Sequence, residues 1–237
     1  MAGFGKRVGF TLAESLITLG VIGIVAAMTL PTLITRMRIA QLHTQFNKMY
    51  ADLNQAARLF YANENTSVPY YGKITATSSR SDKLLKKYMS YFKGASTTTQ
   101  LRYDYFDYAH NITNGEGHDT CDESSVMLDM TGRIFVMDNA PYNMTFGPKI
   151  CVDTNGIKGP NKLGYDRFTF VFTEENTVEP YTGTSYWGCS ENITDEEQIK
   201  NQCKGIKAGN NRNQCAYFAL KDKNPTGNGT YWKNFLK

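Results

Sequence analysis

The stretch that decides the fold is Gly9–Ile34, GFTLAESLITLGVIGIVAAMTLPTLI, with Lys6 and Arg7 just before it. From Phe10 to Ile34 there are 25 residues, and Glu14 carries the only formal charge. As a helix rising about 1.5 Å per residue, that run extends roughly 37 Å, more than the roughly 30 Å hydrocarbon core of a bilayer. A cleaved secretory signal also has a basic start and an apolar run, but its apolar core is only about 7 to 15 residues and ends at a small-residue cleavage site. Here Ala26 and Ala27 lead into Met28, Thr29, Leu30 and Pro31, so the run reads as a retained anchor. Lys6 and Arg7 should stay cytoplasmic, which places the remainder of the chain on the far side of the membrane.

Glu14 is anomalous, because a carboxylate inside a spanning helix costs a few kcal/mol on insertion scales and calls for a partner. No Lys, Arg or His lies between Phe10 and Thr35. A partner must therefore come from outside this helix or from a newly made amino terminus close to it. The alternative is a protonated carboxyl, or one held near the headgroups without a partner. The order of the basic pair, Gly9, Phe10, Glu14 and the apolar run resembles the class III signal of type IV pilins and type II secretion pseudopilins. The likeness extends to Pro31 and covers about the first 55 residues.

That resemblance implies cleavage after Gly9 by a prepilin peptidase, methylation of Phe10, and assembly on an inner-membrane platform into a filament of pilin-like subunits. It also implies that Glu14 pairs with the terminal amine of a neighbouring subunit. Two unit charges about 4 Å apart attract by roughly 4 kcal/mol at an effective dielectric near 20, enough to offset much of the burial cost. The expected organisation is a leader at 1–9, a membrane-spanning part of a long helix at 10–34, an amphipathic part at 35–62, and a periplasmic or extracellular head at 63–237.

Beyond Ile34, Leu42, Phe46, Met49, Leu53, Ala56 and Phe60 are spaced alternately by four and three. That spacing gives one helical stripe, expected to pack on a sheet outside the membrane. Pro31 lacks a backbone donor and should bend or loosen the helix near the end of the span. The region 63–72 reads as a loop and 81–92 as a short helix ended by Gly94. From Ser125 the period becomes strand-like, with a hairpin of 126–130 and 134–137 turning at Thr131-Gly132, then strands at 149–152, 167–172 and 177–179. The expected fold class is α+β: a long N-terminal helix on a small antiparallel sheet, similar to a pilin.

Composition agrees with one anchor and one folded head, since 41% of residues are hydrophobic and 20% charged. After loss of the leader, 24 basic residues face 22 acidic ones, so general attraction to nucleic acid is not expected. Cys121, Cys151, Cys189, Cys203 and Cys215 form no C-x-x-C pair, which suits one or two disulfides in an oxidising compartment with a thiol left over. The spacing leaves their partners open.

The loop from Asp153 to Asp166, DTNGIKGPNKLGYD, concentrates oxygen donors and turn formers. Asp153, Asn155 and Asp166 could supply hard oxygen ligands to calcium. The loop departs from the EF-hand pattern, with Gly156 too early and no terminal Glu. A glycine-stabilised connection in which Asp and Asn cap backbone donors is the plainer reading. His110, His118 and Cys121 match no zinc spacing. His43, beside the apolar stripe, reads as a surface or interface residue. No nucleophile-elbow, Walker, Rossmann or His-Glu-x-x-His sequence is present, so no catalysis is expected. Asn65, Asn111, Asn143, Asn192 and Asn228 begin Asn-x-Ser/Thr patterns, expected by chance in an Asn-rich chain.

Acidic residues cluster at 103–130 and basic ones at 200–237, which suits docking between subunits or plain intramolecular pairing. The function expected is a structural filament subunit in a secretion pseudopilus or a pilus. Alternatives are a signal-anchored periplasmic binding or adhesion module that never polymerises, a DNA-uptake minor pilin using Tyr231 and Trp232 as stacking groups, or an anchored hydrolase.

Overall fold

The computed structural model describes residues 9, 11–75, 80–98, 121, 125–138, 147–183, 192–204 and 215–236. The chain falls into two units, Met1–Ala40 and Gln41–Lys237. Helix α1 (Leu12–Glu64) contributes to both. The second unit adds α2 (Val68–Ile74), α3 (Arg80–Met89), six strands, α4 (Glu196–Lys204), α5 (Cys215–Lys221) and a π-helical turn at Tyr231–Phe235.

The strands are β1 (Ser96–Thr98), β2 (Val126–Leu128), β3 (Ile134–Asp138), β4 (Lys149–Asp153), β5 (Arg167–Phe172) and β6 (Val178–Pro180). They form one sheet in chain order, every neighbouring pair antiparallel. The fold is therefore α+β with a long apolar N-terminal helix.

Register decides what each face of the sheet carries. Phe135 lies opposite Val152, and Val152 opposite Phe168. Met137 lies opposite Ile150, and Ile150 opposite Phe170. Because directly opposed residues share a face, these six build one apolar surface. The α1 stripe covers it: Leu42, Phe46, Met49, Leu53, Ala56 and Phe60 are all buried. Phe46 meets Phe168 edge-on at 4.5 Å between ring centroids, and Tyr50 lies 5.7 Å from Phe170. Tyr88 of α3 closes the same layer, meeting Phe172 edge-on at 4.8 Å and donating its hydroxyl hydrogen to the Leu53 carbonyl at 2.7 Å. The opposite face carries a smaller cluster of Cys121, Val126, Ile134, Val136 and Cys151, closed by a Cys121–Cys151 disulfide.

The structure departs from sequence expectation in the connections. The stretch 63–72 does not stay a loop. Val68–Ile74 is helical because the Ser67 side chain caps it, accepting from the Tyr70 N–H, and proline stands in its first turn, where a missing N–H costs nothing. Strand β1 and helices α4 and α5 have no counterpart in the sequence reading. The C-terminal segment is anchored, not free: Tyr231 and Trp232 are buried. Trp232 donates its indole N–H to the Ala219 carbonyl and stacks on His43 at 5.0 Å with 12° between planes. These rings cannot serve as stacking platforms for bases, and His43 belongs to an aromatic packing layer instead of a free surface.

Candidate functional site

Two places concentrate function-bearing residues, the start of α1 and the β4–β5 loop. Leu12 begins the helix, and Thr11 and Glu14 cap it reciprocally. The Thr11 hydroxyl accepts from the Glu14 N–H at 3.2 Å, while Glu14 Oε2 accepts from the Thr11 N–H at 2.9 Å and from its hydroxyl at 2.8 Å. This is a capping box, in which two orphan donors of a helix start are satisfied by each other's side chains. The sequence reading missed it, although the Thr-x-x-Glu spacing at 11–14 signals it. No Lys, Arg or His pairs with Glu14 among the described residues.

Along the rest of the first unit the apolar side chains are bare. Leu12, Ile17, Leu19, Ile22, Met28 and Ile34 are all more than half exposed. By length and composition the helix can cross a membrane, and the same features fit an anchor or a signal sequence. It continues without interruption through Pro31. Thr29 donates its hydroxyl to the Val25 carbonyl at 2.9 Å and Thr35 to that of Pro31 at 3.0 Å, which supplies local hydrogen bonds around the residue that lacks a donor. Gly9 is exposed. Phe10 lies outside the described residues, as do Cys189, His110 and His118.

The β4–β5 loop is drawn into the head at both ends. Gly156 adopts φ +70°, and a Cβ there would stand 2.2 Å from the Gly132 carbonyl oxygen of the β2–β3 turn. Gly164 adopts φ +80° and sits against Cys215 at the start of α5. Only glycine permits both the left-handed backbone and the close approach. Cys215 is bonded to Cys203, tying α5 to α4.

Inside the loop two carboxylates and the Asn161 amide are buried together, with Asn155 partly exposed beside them. Asp166 accepts from the N–H groups of Asn161 and Lys162, each at 2.8 Å. Its own carbonyl receives the Thr154 N–H at 2.8 Å and the Thr154 hydroxyl at 3.1 Å. Asp153 Oδ1 accepts from the Asn155 N–H at 3.2 Å. Asn155 and Asn161 each donate an amide hydrogen to a loop carbonyl, Gly159 and Ile157 respectively, and the Asn155 side chain also hydrogen-bonds the Asp166 carboxylate. Burial, then the neighbouring Asp166 carboxylate, push the Asp153 carboxyl up to about 8, against the opposing influence of the Arg167 guanidinium. Burial likewise raises Asp166 despite its backbone donors.

The structure thus brings Asp153, Asn155 and Asp166 into one loop and adds Asn161, which the sequence reading omitted. Its backbone is left-handed at φ 48°, a conformation asparagine tolerates better than most residues, and its N–H meets Asp166 five residues on. No three of His, Cys, Asp and Glu converge on a metal geometry among the described residues.

Comparison with family models, with curated proteins and with solved structures found no match to this chain.

Proposed function

We propose that the chain is a structural subunit of a type II secretion pseudopilus or a type IV pilus-like filament, assembled through α1 and not itself an enzyme. The observation that carries this reading is the bare apolar first unit with one carboxylate in its opening turn and, among the described residues, no cation paired with it. Such a helix is unsuited to water along its whole surface, so a bilayer or a bundle of like helices must cover it. In the lone subunit, Thr11 supplies Glu14 with two hydrogen bonds but no positive charge. Cleavage after Gly9 by a prepilin peptidase would create a cationic amine at Phe10. Buried in a bundle, that amine on one copy and Glu14 on the next would each answer the other's charge, which favours one register over shifted ones.

The basic pair Lys6 and Arg7 would keep the leader at the cytoplasmic side, where the peptidase works, and place the disulfide-bonded head in the periplasm. Mass spectrometry of the protein recovered from membranes tests the processing step. The expected mature chain begins at N-methylated Phe10, whereas an N-terminus near Met28 would establish ordinary signal cleavage and remove the assembly helix from the mature protein.

A further inference from the structure

We infer that Lys149 and Asp138 form an isopeptide cross-link, an amide between Lys149 Nζ and the Asp138 side-chain carbonyl that fastens β3 to β4. Lys149 is wholly buried, and its Nζ has no hydrogen-bond partner among the described residues. It lies 3.3 Å from Asp138 Oδ2, on a side chain only 7% exposed. A lysine ammonium carries three N–H donors, and a buried ion pair ordinarily offsets its desolvation only when further hydrogen bonds satisfy both partners. Here none of the three donors meets an acceptor in hydrogen-bonding geometry. The Tyr181 ring, 5.4 Å from Nζ, offers the charge a π face but no acceptor.

The strands themselves hold the two side chains together. Asp138 ends β3, Lys149 begins β4, and the register sets them directly opposite each other. Directly opposed residues of an antiparallel pair share a face, with Cβ atoms about 4.5 to 5.5 Å apart, a gap that a lysine arm spans. On its other side Lys149 is opposed by Val171, which clusters with buried Tyr181. The amine therefore sits between a carboxylate and an apolar wall, shielded from solvent. Asp138 Oδ2 is bonded to the very carbon, Cγ, that the amine would attack. Reactants held about 3 to 3.5 Å apart in one orientation react as if each were present at very high concentration.

Condensation needs an unprotonated amine and a protonated carboxyl, and passage of one proton from Nζ to Oδ2 gives both. A dry setting favours that exchange, because it removes two charges that are costly to hold away from water. Nζ then attacks Cγ, the C–N bond forms, and the Asp138 hydroxyl departs with a proton from the nitrogen as one molecule of water. Atoms and electrons balance without an oxidant, a reductant or any other co-reactant. The product replaces a buried ion pair with a neutral amide. Because Cys151 on the same strand is bonded to Cys121, β4 would be tied covalently to the head twice, and one of those ties would be indifferent to reduction. This inference does not depend on filament assembly, because both residues lie in the second unit.

The test is intact mass spectrometry of the full chain, purified in detergent micelles, then reduced and alkylated so that disulfides do not contribute. In most folded chains the expected mass lies one water below that calculated for the observed N-terminus. Chymotrypsin cuts after Tyr142 and Phe146, between the two residues, so fragmentation should find Asp138 and Lys149 joined in one branched species. Lys149→Arg keeps the positive charge on a guanidinium that stays protonated, and it should restore the full mass, as should Asp138→Ala. Should either variant fail to fold, the wild-type mass and the branched peptide still decide the matter. Full mass in the bulk of wild-type chains, with the two residues on separate peptides, would overturn the cross-link and leave a buried ion pair. A missing water located at any other residue would overturn it equally, as would one that persists in Lys149→Arg.

Discussion

Thr11, Tyr88 and Asp82 show how single side chains connect the elements of this chain. Thr11 caps α1 together with Glu14, and removing such a cap typically costs about 1 kcal/mol. The Tyr88 hydroxyl reaches the Leu53 carbonyl in a buried setting. Tyr88→Phe should lower the unfolding free energy of the head by about 1 kcal/mol at unchanged m-value, measured by urea denaturation. No change in midpoint would mean that the bond contributes nothing. Asp82 receives the Ser125 N–H at 2.9 Å and the Lys86 ammonium at 2.8 Å, joining α3 to the entry of β2. Burial raises its carboxyl, but the hydrogen bonds from Lys86 and Ser125 outweigh it and hold the group below the ordinary range. The folded state therefore favours the ionised form. Its contribution is present above the unfolded value of about 3.9 and is lost as pH falls through the lower folded value. Melting wild type and Asp82→Asn from pH 7 to pH 3 should show a wild-type advantage at neutral pH that vanishes in acid. A constant difference across that range would contradict the assignment.

Among residues, the sequence disclosed those whose role is local or periodic and concealed those whose role is made by closure. The lone carboxylate of Glu14 in an apolar run and the clustering of Asp153, Asn155 and Asp166 in one loop were legible because charge and Asp/Asn density are visible one residue at a time. Asn161 was not, since its part depends on a left-handed turn under Asp166. Trp232 was misjudged because a basic tail with aromatic residues reads as a surface. Its burial depends on His43 and Phe46, almost two hundred residues earlier in the chain.

Among elements, α1 and the central strands carry strong periods and were readable in advance. The alternation of four and three from Leu42 to Phe60 is the buried stripe, and β5 spans Arg167–Phe172 as its β-branched and aromatic run implies. Short elements held by caps or pairing, such as α2 and β1, lack a period long enough to detect. Phe46 joins α1 to β5 and to the C-terminal turn, with Phe168 at 4.5 Å and Trp232 at 5.4 Å. Phe46→Ala should destabilise the head by roughly 3 to 5 kcal/mol, read from the urea midpoint. A loss under 1 kcal/mol would show that α1 is not fixed to the sheet through this ring. The two disulfides staple different elements. Cys121–Cys151 encloses 30 residues of separation and Cys203–Cys215 encloses 12. On loop-closure entropy they contribute about 4 and about 3 kcal/mol respectively, so Cys121→Ser with Cys151→Ser should cost more stability than the Cys203 and Cys215 pair. The reverse order would place the larger stabilisation in native contacts of α4 and α5.

At the scale of the whole molecule, the two units face opposite solvent problems. The second buries its aromatic layer among the described residues. The first exposes a continuous apolar surface and carries a single acid that its own described residues answer only with hydrogen bonds. On the reading proposed above, membrane insertion solves the first problem and a neighbouring copy's amine the second. The direct measurement is the fate of Glu14→Leu expressed beside the processing and assembly machinery, with membrane fractions and sheared filaments quantified separately. The account expects the variant to be inserted and cleaved at wild-type levels, yet at least tenfold depleted from filaments. Filament incorporation equal to wild type would contradict it.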